Sequence, residues 1–340
     1  VGGVRESVSS FLKVLCGYWS DRTGRRKPFV QWGYISSAAF KFLLAFSQLW
    51  THILLFSGLE RVGKGMRTAP RDAIIAESMP AERGKGFGIH RAMDTAGAIA
   101  GSLLVLALFW FWGISFKGII LVAAAIALLS LLPLHFVAER RKAPQQISFK
   151  IGLRGLPKAL RAFILVAALF SLANFSYMFF ILRAKGGLSG RYAVGVPLFL
   201  YVIFNVVYTG LAIPFGVLSD RIGRRRVLLF GYLLFSLTSL GFSLFRSTTA
   251  YLILFALYGM VYAMVEGNQR AFVSDLSPEE LKATALGTFH TVVGVATLPG
   301  SLIAGLLWQK VGPVAPFLYG SLLSLLSVLL FLSLKSSFEG

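Results

Sequence analysis

The sequence predicts an all-α membrane protein built from two similar helical bundles. Hydrophobic residues make up 56% of the 340 residues and charged residues only 14%, whereas a soluble domain usually carries about 25% charged residues. The stretch GYWSDRTGRRKP at 17–28 recurs as GVLSDRIGRRRV at 216–227. A motif that recurs between apolar helices indicates a duplicated bundle.

Eleven segments have the length and apolar character of membrane spans, which need about 20 residues. They are residues 1–19, 29–49, 52–76, 87–109, 118–137, 159–182, 194–218, 227–245, 251–273, 283–308 and 314–334. A turn at Trp50 and Thr51 is predicted between the second and third segments, and a polar loop before Phe87. The first and third segments carry the most charges.

The repeat predicts how these segments are grouped. Segments one to five pair with segments seven to eleven, and the sixth has no counterpart, so we expect a natural protein of twelve spans whose first is missing here. Residues 1–137 are then the N-terminal half and residues 159–340 the C-terminal half. The basic stretch 138–158 is predicted to be the linker that joins them.

Loop charges predict the orientation and exclude nucleic acid as a partner. Eighteen Lys and Arg residues lie on the side of the repeated loops and six on the other. Because positive loops stay in the cytoplasm, this pattern places the repeated loops, the linker and the C-terminus there, in a multi-pass protein of the cytoplasmic (inner) membrane. The net charge of +20 therefore reflects membrane topology. Neither a phosphate-binding loop nor a zinc-like spacing is present, so no metal or cofactor is expected.

The two copies of the repeated stretch share seven residues in one register, each pair 199 positions apart. They are Gly17, Ser20, Asp21, Arg22, Gly24, Arg25 and Arg26 in the first copy, and Gly216, Ser219, Asp220, Arg221, Gly223, Arg224 and Arg225 in the second. The first glycine allows a helix end to pack closely, and the second permits a tight turn. Aspartate and serine are residues that cap helix ends and bind arginine.

The pattern G-x-x-x-D-R-x-G-R-R between two apolar helices resembles the signature loop of the major facilitator superfamily of secondary transporters. In that family one copy follows the second helix and another follows the eighth, and both are present here. The resemblance implies two six-helix halves that move a small solute through the lipid bilayer by alternating access. It also implies a transporter, expected to be monomeric, and not an enzyme.

The third segment carries charges at a depth where they are costly unless they face protein or water. Glu60, Arg61 and Lys64 lie in its middle, and Glu60 and Lys64, four residues apart, are able to neutralise each other. The stretch Arg61–Gly65 is similar to the R-x-x-Q-G motif of the family, with Lys64 in place of glutamine, which implies that Arg61 faces the substrate or the coupling ion. The string GKGMRTAPRDA is similar to a prokaryotic branch of the family.

The same resemblance implies gating partners for the signature loops. An acidic residue at the end of the third segment, Asp72 or Glu77, is expected to pair with Arg22 or Arg25. Asp275 is expected to pair with Arg221 or Arg224 in the second copy.

Further ionisable residues are predicted inside the spans. Arg5, Glu6 and Lys41 lie in the first two segments. Arg91 and Asp94, three residues apart, are expected to neutralise each other. In the second half, Glu266 is the main charged residue of the interior.

The predicted first-half interior has three more positive than negative groups. A buried surplus needs compensation, which favours an organic anion as cargo, bound at Arg61 and Lys64, with Glu60 or Glu6 as exchangeable proton sites. The alternatives are efflux of lipophilic drugs, if long cationic side chains reach the membrane surface, and a membrane sensor or scaffold that does not transport. The direction of transport and its coupling to protons stay open.

Overall fold

The computed structural model describes residues 2–139, 155–186, 188–189 and 192–334, with the backbone alone at 2–11, 106, 110 and 192–194. Within this part of the chain all regular structure is helical. The elements are α1 (Gly2–Thr23), α2 (Lys27–Leu44), α3 (Trp50–Ser78), α4 (Arg83–Trp110), α5 (Phe116–Leu129), α6 (Leu131–His135), α7 (Lys158–Ala173), α8 (Met178–Lys185), α9 (Tyr192–Ile222), α10 (Arg224–Leu244), α11 (Thr248–Asp275), a 3₁₀ turn (Glu279–Leu281), α12 (Lys282–Lys310) and α13 (Ala315–Ser333). The predicted all-α class is confirmed.

Eight helical segments of the described residues are long and apolar enough to cross a membrane. They are Arg83–Phe109, Phe116–His135, Lys158–Lys185, Gly195–Ile222, Arg224–Leu244, Thr248–Asp275, Glu279–Lys310 and Ala315–Ser333. Helices α1 to α3 are outside this set, and α3 carries several of the charges discussed above. The count of eleven spans therefore stays a prediction.

Two predicted boundaries were wrong. Trp50 and Thr51 begin α3, and the turn lies at residues 45–49 instead. The stretch from Arg83 to Gly86, expected as loop, is the first turn of α4. Its glycines disfavour helix in isolation, but a carboxylate from another helix binds the amides that this turn leaves free, as described below.

The described chain forms two compact units. Unit 1 comprises Val1–Ser78, Ala98–Pro157 and Ser277–Gly294, and unit 2 comprises Met79–Gly97, Lys158–Leu276 and Val295–Gly340. In unit 1, α2 packs on α3 where Ser37 donates a hydrogen bond to the Glu60 carbonyl at 3.2 Å. In unit 2, the core is aromatic, with the Phe180 and Tyr258 rings stacked at 4.4 Å. The division of the chain into halves 1–137 and 159–340 stays a prediction.

Two glycines of the repeated stretch have the positive φ angle that residues with a side chain rarely adopt. Gly24 has φ of 65° and Gly223 has φ of 95°, at the same position of the two copies. Residues with a Cβ rarely adopt positive φ. The tight turns expected at these glycines are therefore present.

The first glycine of each copy lies against the backbone of another helix. A Cβ on Gly17 would collide with the Ala283 carbonyl oxygen, and one on Gly216 with the Gly84 carbonyl oxygen. These helices cross at a distance that leaves no room for a methyl group.

We predict that Gly216→Ala destabilises the protein, whereas Gly210→Ala does not. Both residues lie in α9, but a Cβ on Gly210 meets no atom within 4 Å, and alanine is the better helix former. Overpacking at Gly216 is expected to cost about 1–3 kcal/mol. Thermal unfolding of the two purified variants measures the difference, and equal melting temperatures would contradict the close crossing.

Candidate functional site

The Asp21 carboxylate lies at the N-terminus of α12. One of its oxygens accepts a hydrogen bond from the Ala283 amide at 3.2 Å, and the other from the Thr284 amide at 2.7 Å. The Thr284 hydroxyl adds a third bond at 2.8 Å. All of these groups belong to unit 1, and Asp21 is only 7% exposed.

The Asp220 carboxylate makes the same contact at the N-terminus of α4. Its two oxygens accept from the Gly84 amide at 2.9 Å and the Lys85 amide at 2.8 Å. These groups belong to unit 2.

The two contacts are copies of one arrangement. Asp21 and Asp220, Gly84 and Ala283, and Lys85 and Thr284 are each 199 positions apart. In both, an aspartate at the end of one helix binds the first free amides of another helix, where unpaired N–H groups and the helix dipole favour negative charge. We call these two contacts the aspartate latches.

In the first copy, a buried arginine connects the latch to two further carboxylates. Arg26 donates to Asp21 at 3.1 Å and forms an ion pair with Glu77. Its backbone amide and that of Lys27 bind the Glu139 carboxylate, the second at 2.9 Å. Glu139 thereby caps α2 from the stretch expected as linker, a contact that the sequence analysis missed.

In the second copy, Arg224 has this role. It donates to Asp220 at 2.6 Å and pairs with Asp275, which also accepts from Arg83 at 2.8 Å. The expected pairing of Asp275 with Arg224 is therefore present.

The arginine expectations need a correction. Glu77 pairs with Arg26, while Arg22, Arg25 and Arg221 are exposed. The arginines that bind the aspartates, Arg26 and Arg224, are instead largely buried beside them.

Asp72, the other candidate for that pairing, binds different partners. It is fully buried, and its oxygens accept from Arg71 at 2.8 Å and contact the His290 ring nitrogen at 2.8 Å. Both partners belong to unit 1 with Asp72.

Arg91 of α4 forms an ion pair with Glu266 of α11 as well as the expected pair with Asp94, at 3.1 Å. Arg270 reaches the same Glu266 oxygen at 3.5 Å. Arg91 and Glu266 are 175 positions apart in the sequence and meet within unit 2.

Arg91 and His290 occupy equivalent positions, 199 residues apart, on α4 and α12. Each binds a carboxylate of a neighbouring helix, about 12 Å along its own helix from the N-terminus. One pair is built on arginine and the other on histidine.

The remaining predicted residues are less enclosed. Arg61, Glu60 and Lys41 are half-buried and Lys64 is exposed. The side chains of Arg5 and Glu6 lie outside the described residues. Among the described side chains, no group of three or more His, Cys, Asp or Glu is placed to hold a metal ion.

Sequence reasoning also missed a cluster of tyrosines in unit 2. Tyr258 and Tyr262 share a hydrogen bond between their hydroxyls at 3.3 Å, and Tyr208 packs on Tyr262 at 5.7 Å between ring centroids. Tyr258 and Tyr262 are four residues apart in α11 and so share one face of that helix, but this spacing is equally typical of tyrosines in a core.

Comparisons with known proteins agree with the signature loops. The family model of the Major Facilitator Superfamily matches residues 6–199 and 193–338. An uncharacterized MFS-type transporter of Methanocaldococcus jannaschii is 53% identical over 336 residues, which cover 98% of this chain and 84% of the relative. The multidrug resistance protein MdtH of Aeromonas hydrophila is 22% identical over 90% of this chain and 77% of its own.

A solved structure resembles the whole described fold. The crystal structure of the human organic anion transporter MFSD10 (TETRAN) superposes with a TM-score of 0.75, covering 97% of this chain and 83% of the human one at 22% identity. At that identity the likeness concerns the fold.

We predict that Asp220→Asn lowers stability more than Glu82→Gln. The asparagine side chain lacks the negative charge that binds the backbone amides at the start of α4. Loss of this charge is expected to lower the free energy of unfolding by about 1–2 kcal/mol. Glu82 is an exposed carboxylate whose ion pair with Lys85, at 3.1 Å, contributes little. Urea or thermal unfolding of both variants in detergent measures the difference, and a drop of equal size would show that the latch charge has no special weight.

Proposed function

The chain belongs to the Major Facilitator Superfamily of secondary transporters, and we propose that it moves a small organic anion across the cytoplasmic membrane by alternating access. The aspartate latches carry this proposal. Each joins a helix before a signature loop to the N-terminus of a helix from the other copy of the repeat. A transporter that opens on the signature-loop side has to separate these elements and break both contacts.

The loop charges support the orientation. Each latch lies at its own signature loop, which is rich in Lys and Arg, and positive loops stay in the cytoplasm. The latches are therefore cytoplasmic contacts, and the structure corresponds to a state in which they are closed.

The charges of α3 support an anionic cargo. Arg61 and Lys64 lie more than two turns inside a helix of 29 residues, with Glu60 as the nearby carboxylate. Arg67, on the same helix, is held by Ser37 at 2.9 Å and lies over the Tyr34 ring at 4.2 Å. We assign Arg61 and Lys64 to the solute because they are the cations of the motif that resembles the R-x-x-Q-G motif of the family.

The pair of His290 and Asp72 supports coupling to protons. The contact is an ion pair only while the imidazole is protonated, and histidine loses its proton near pH 6.5 in water. Arg71 on α3 shares the same carboxylate. Proton release at His290 weakens the link between α12 and α3, one to two turns inside the Asp21 latch, and so favours opening. We assign the exchangeable proton to His290, in addition to the candidates Glu60 and Glu6.

We predict that organic anions, and not matched neutral or cationic solutes, stabilise the purified protein against heat. Arg61→Ala is expected to weaken this stabilisation about tenfold in concentration, since it removes a charged hydrogen-bond donor. Arg246→Ala removes the same charge from an exposed loop position and serves as the matched control.

Two results would contradict the anion proposal. If lipophilic cations or neutral compounds stabilise the protein and Arg61→Ala responds like wild type, the cargo is of the multidrug type. If no solute is moved into proteoliposomes under any gradient, the chain is a sensor or scaffold.

We predict that His290→Gln weakens the pH dependence of transport. Glutamine keeps a hydrogen-bond donor for Asp72 but does not gain a proton. Uptake into proteoliposomes at a series of pH values measures it. His135→Gln is the control: it alters a histidine next to the predicted linker, distant from His290 in the sequence, and so reports any effect of replacing a histidine in general. A His290→Gln profile that follows wild type would remove His290 from the coupling.

A further inference from the structure

A break between two helices of unit 2 leaves four residues of non-helical backbone beside the tyrosine cluster. Helix α7 ends at Ala173 and α8 begins at Met178, and no proline lies between them. The amide of Ser176, within the break, is bound by the Ser301 hydroxyl at 3.2 Å. In membrane proteins irregular backbone is tolerated where it is buried in protein or lines a cavity, and broken helices often form solute sites.

The first residue of the break connects to two tyrosines. The Asn174 side-chain amide donates to the Tyr262 hydroxyl at 3.5 Å, and the Tyr258 hydroxyl donates to the Asn174 carbonyl oxygen at 3.4 Å. These bonds fix the hydroxyls at the end of the break.

The last residue of the break begins a row of aromatic rings. Tyr177 stacks on Tyr201 at 5.3 Å, and Tyr201 on Phe204 at 5.8 Å. Phe204 meets Tyr262 edge to face at 5.2 Å. Exposure falls along this row, from 37% at Tyr177 to 6% at Phe204. The row therefore leads from an accessible ring to enclosed ones.

One hydroxyl at the enclosed end has no partner. Tyr208 is 94% buried, and its hydroxyl has no hydrogen-bond partner among the described residues. A buried unsatisfied hydroxyl costs about 1–3 kcal/mol, so native proteins seldom keep one without a function.

We infer that this cluster binds the aromatic ring of the cargo, and that the Tyr208 hydroxyl donates a hydrogen bond to an acidic group on that ring. The inference rests on the proposed transport of an organic anion and narrows it to aromatic carboxylates. Aromatic side chains bind a ring in stacked and edge-to-face geometries that an aliphatic ring does not reproduce. A carboxylate is a strong acceptor for a phenol.

The test compares benzoate with cyclohexanecarboxylate, which have the same charge and nearly the same size. Binding to the full chain in detergent is measured by equilibrium dialysis and by thermal stabilisation. We expect benzoate to bind wild type about tenfold more tightly than cyclohexanecarboxylate.

Tyr208→Phe separates the hydroxyl from the ring. We expect it to weaken benzoate binding about tenfold and to leave the melting temperature of the ligand-free protein unchanged or raised, since an unsatisfied group is removed. Tyr232→Phe is the control, because Tyr232 is fully buried in the same unit but its hydroxyl is bonded to Gln269 at 2.8 Å. It is expected to lower the melting temperature and leave benzoate binding unchanged.

The outcomes distinguish this inference from the proposed function. If both carboxylates bind equally and Tyr208→Phe has no effect on either, the protein is still an anion transporter but the aromatic site is refuted. If neither carboxylate binds and neither is transported, the anion proposal itself fails. If Tyr208→Phe lowers the ligand-free melting temperature as much as Tyr232→Phe, the hydroxyl has a structural partner and the inference is overturned.

Discussion

A carboxylate bound to the free amides of a helix N-terminus is the interaction on which the packing beside each signature loop depends. The first amides of a helix have no partner within it, and the helix dipole adds a partial positive charge. Asp21 meets this need for α12 and Asp220 for α4. The aspartates are themselves held by Arg26 and Arg224. A buried carboxylate is costly without partners, so each aspartate is stable at its position only together with the amides and the arginine that bind it.

Duplication made the two latches alike, and later change made their surroundings different. The glycine crossing, the tight turn and the aspartate contact are repeated in register. The arginine that binds the aspartate is not, because Arg26 corresponds to Arg225 and not to Arg224. Further along α4 and α12, Arg91 and His290 occupy equivalent positions. One of these pairings thus rests on a histidine and the other on an arginine.

The repeat, the turns and the importance of Asp21 and Asp220 followed from the sequence, because identical residues in one register require a common geometry. The partners of the aspartates did not follow, since backbone amides have no signature in the sequence. The ion pair of Arg91 with Glu266 was not predicted either, for a related reason. Asp94 lies three residues from Arg91 and offers a local explanation, while Glu266 is distant in the chain. The tyrosine cluster is assembled from two helices, α9 and α11, and each tyrosine alone is consistent with an ordinary core position.

The most direct test is a distance measurement across the Asp21 latch by electron paramagnetic resonance. Cys16 is the single cysteine, so nitroxide labels at Thr23 and Glu280, both exposed, can be introduced in a Cys16→Ser background. The account predicts one short distance in the ligand-free protein and, with Asp21→Asn, a second and longer one. The same distribution in both proteins would show that Asp21 does not hold this end closed.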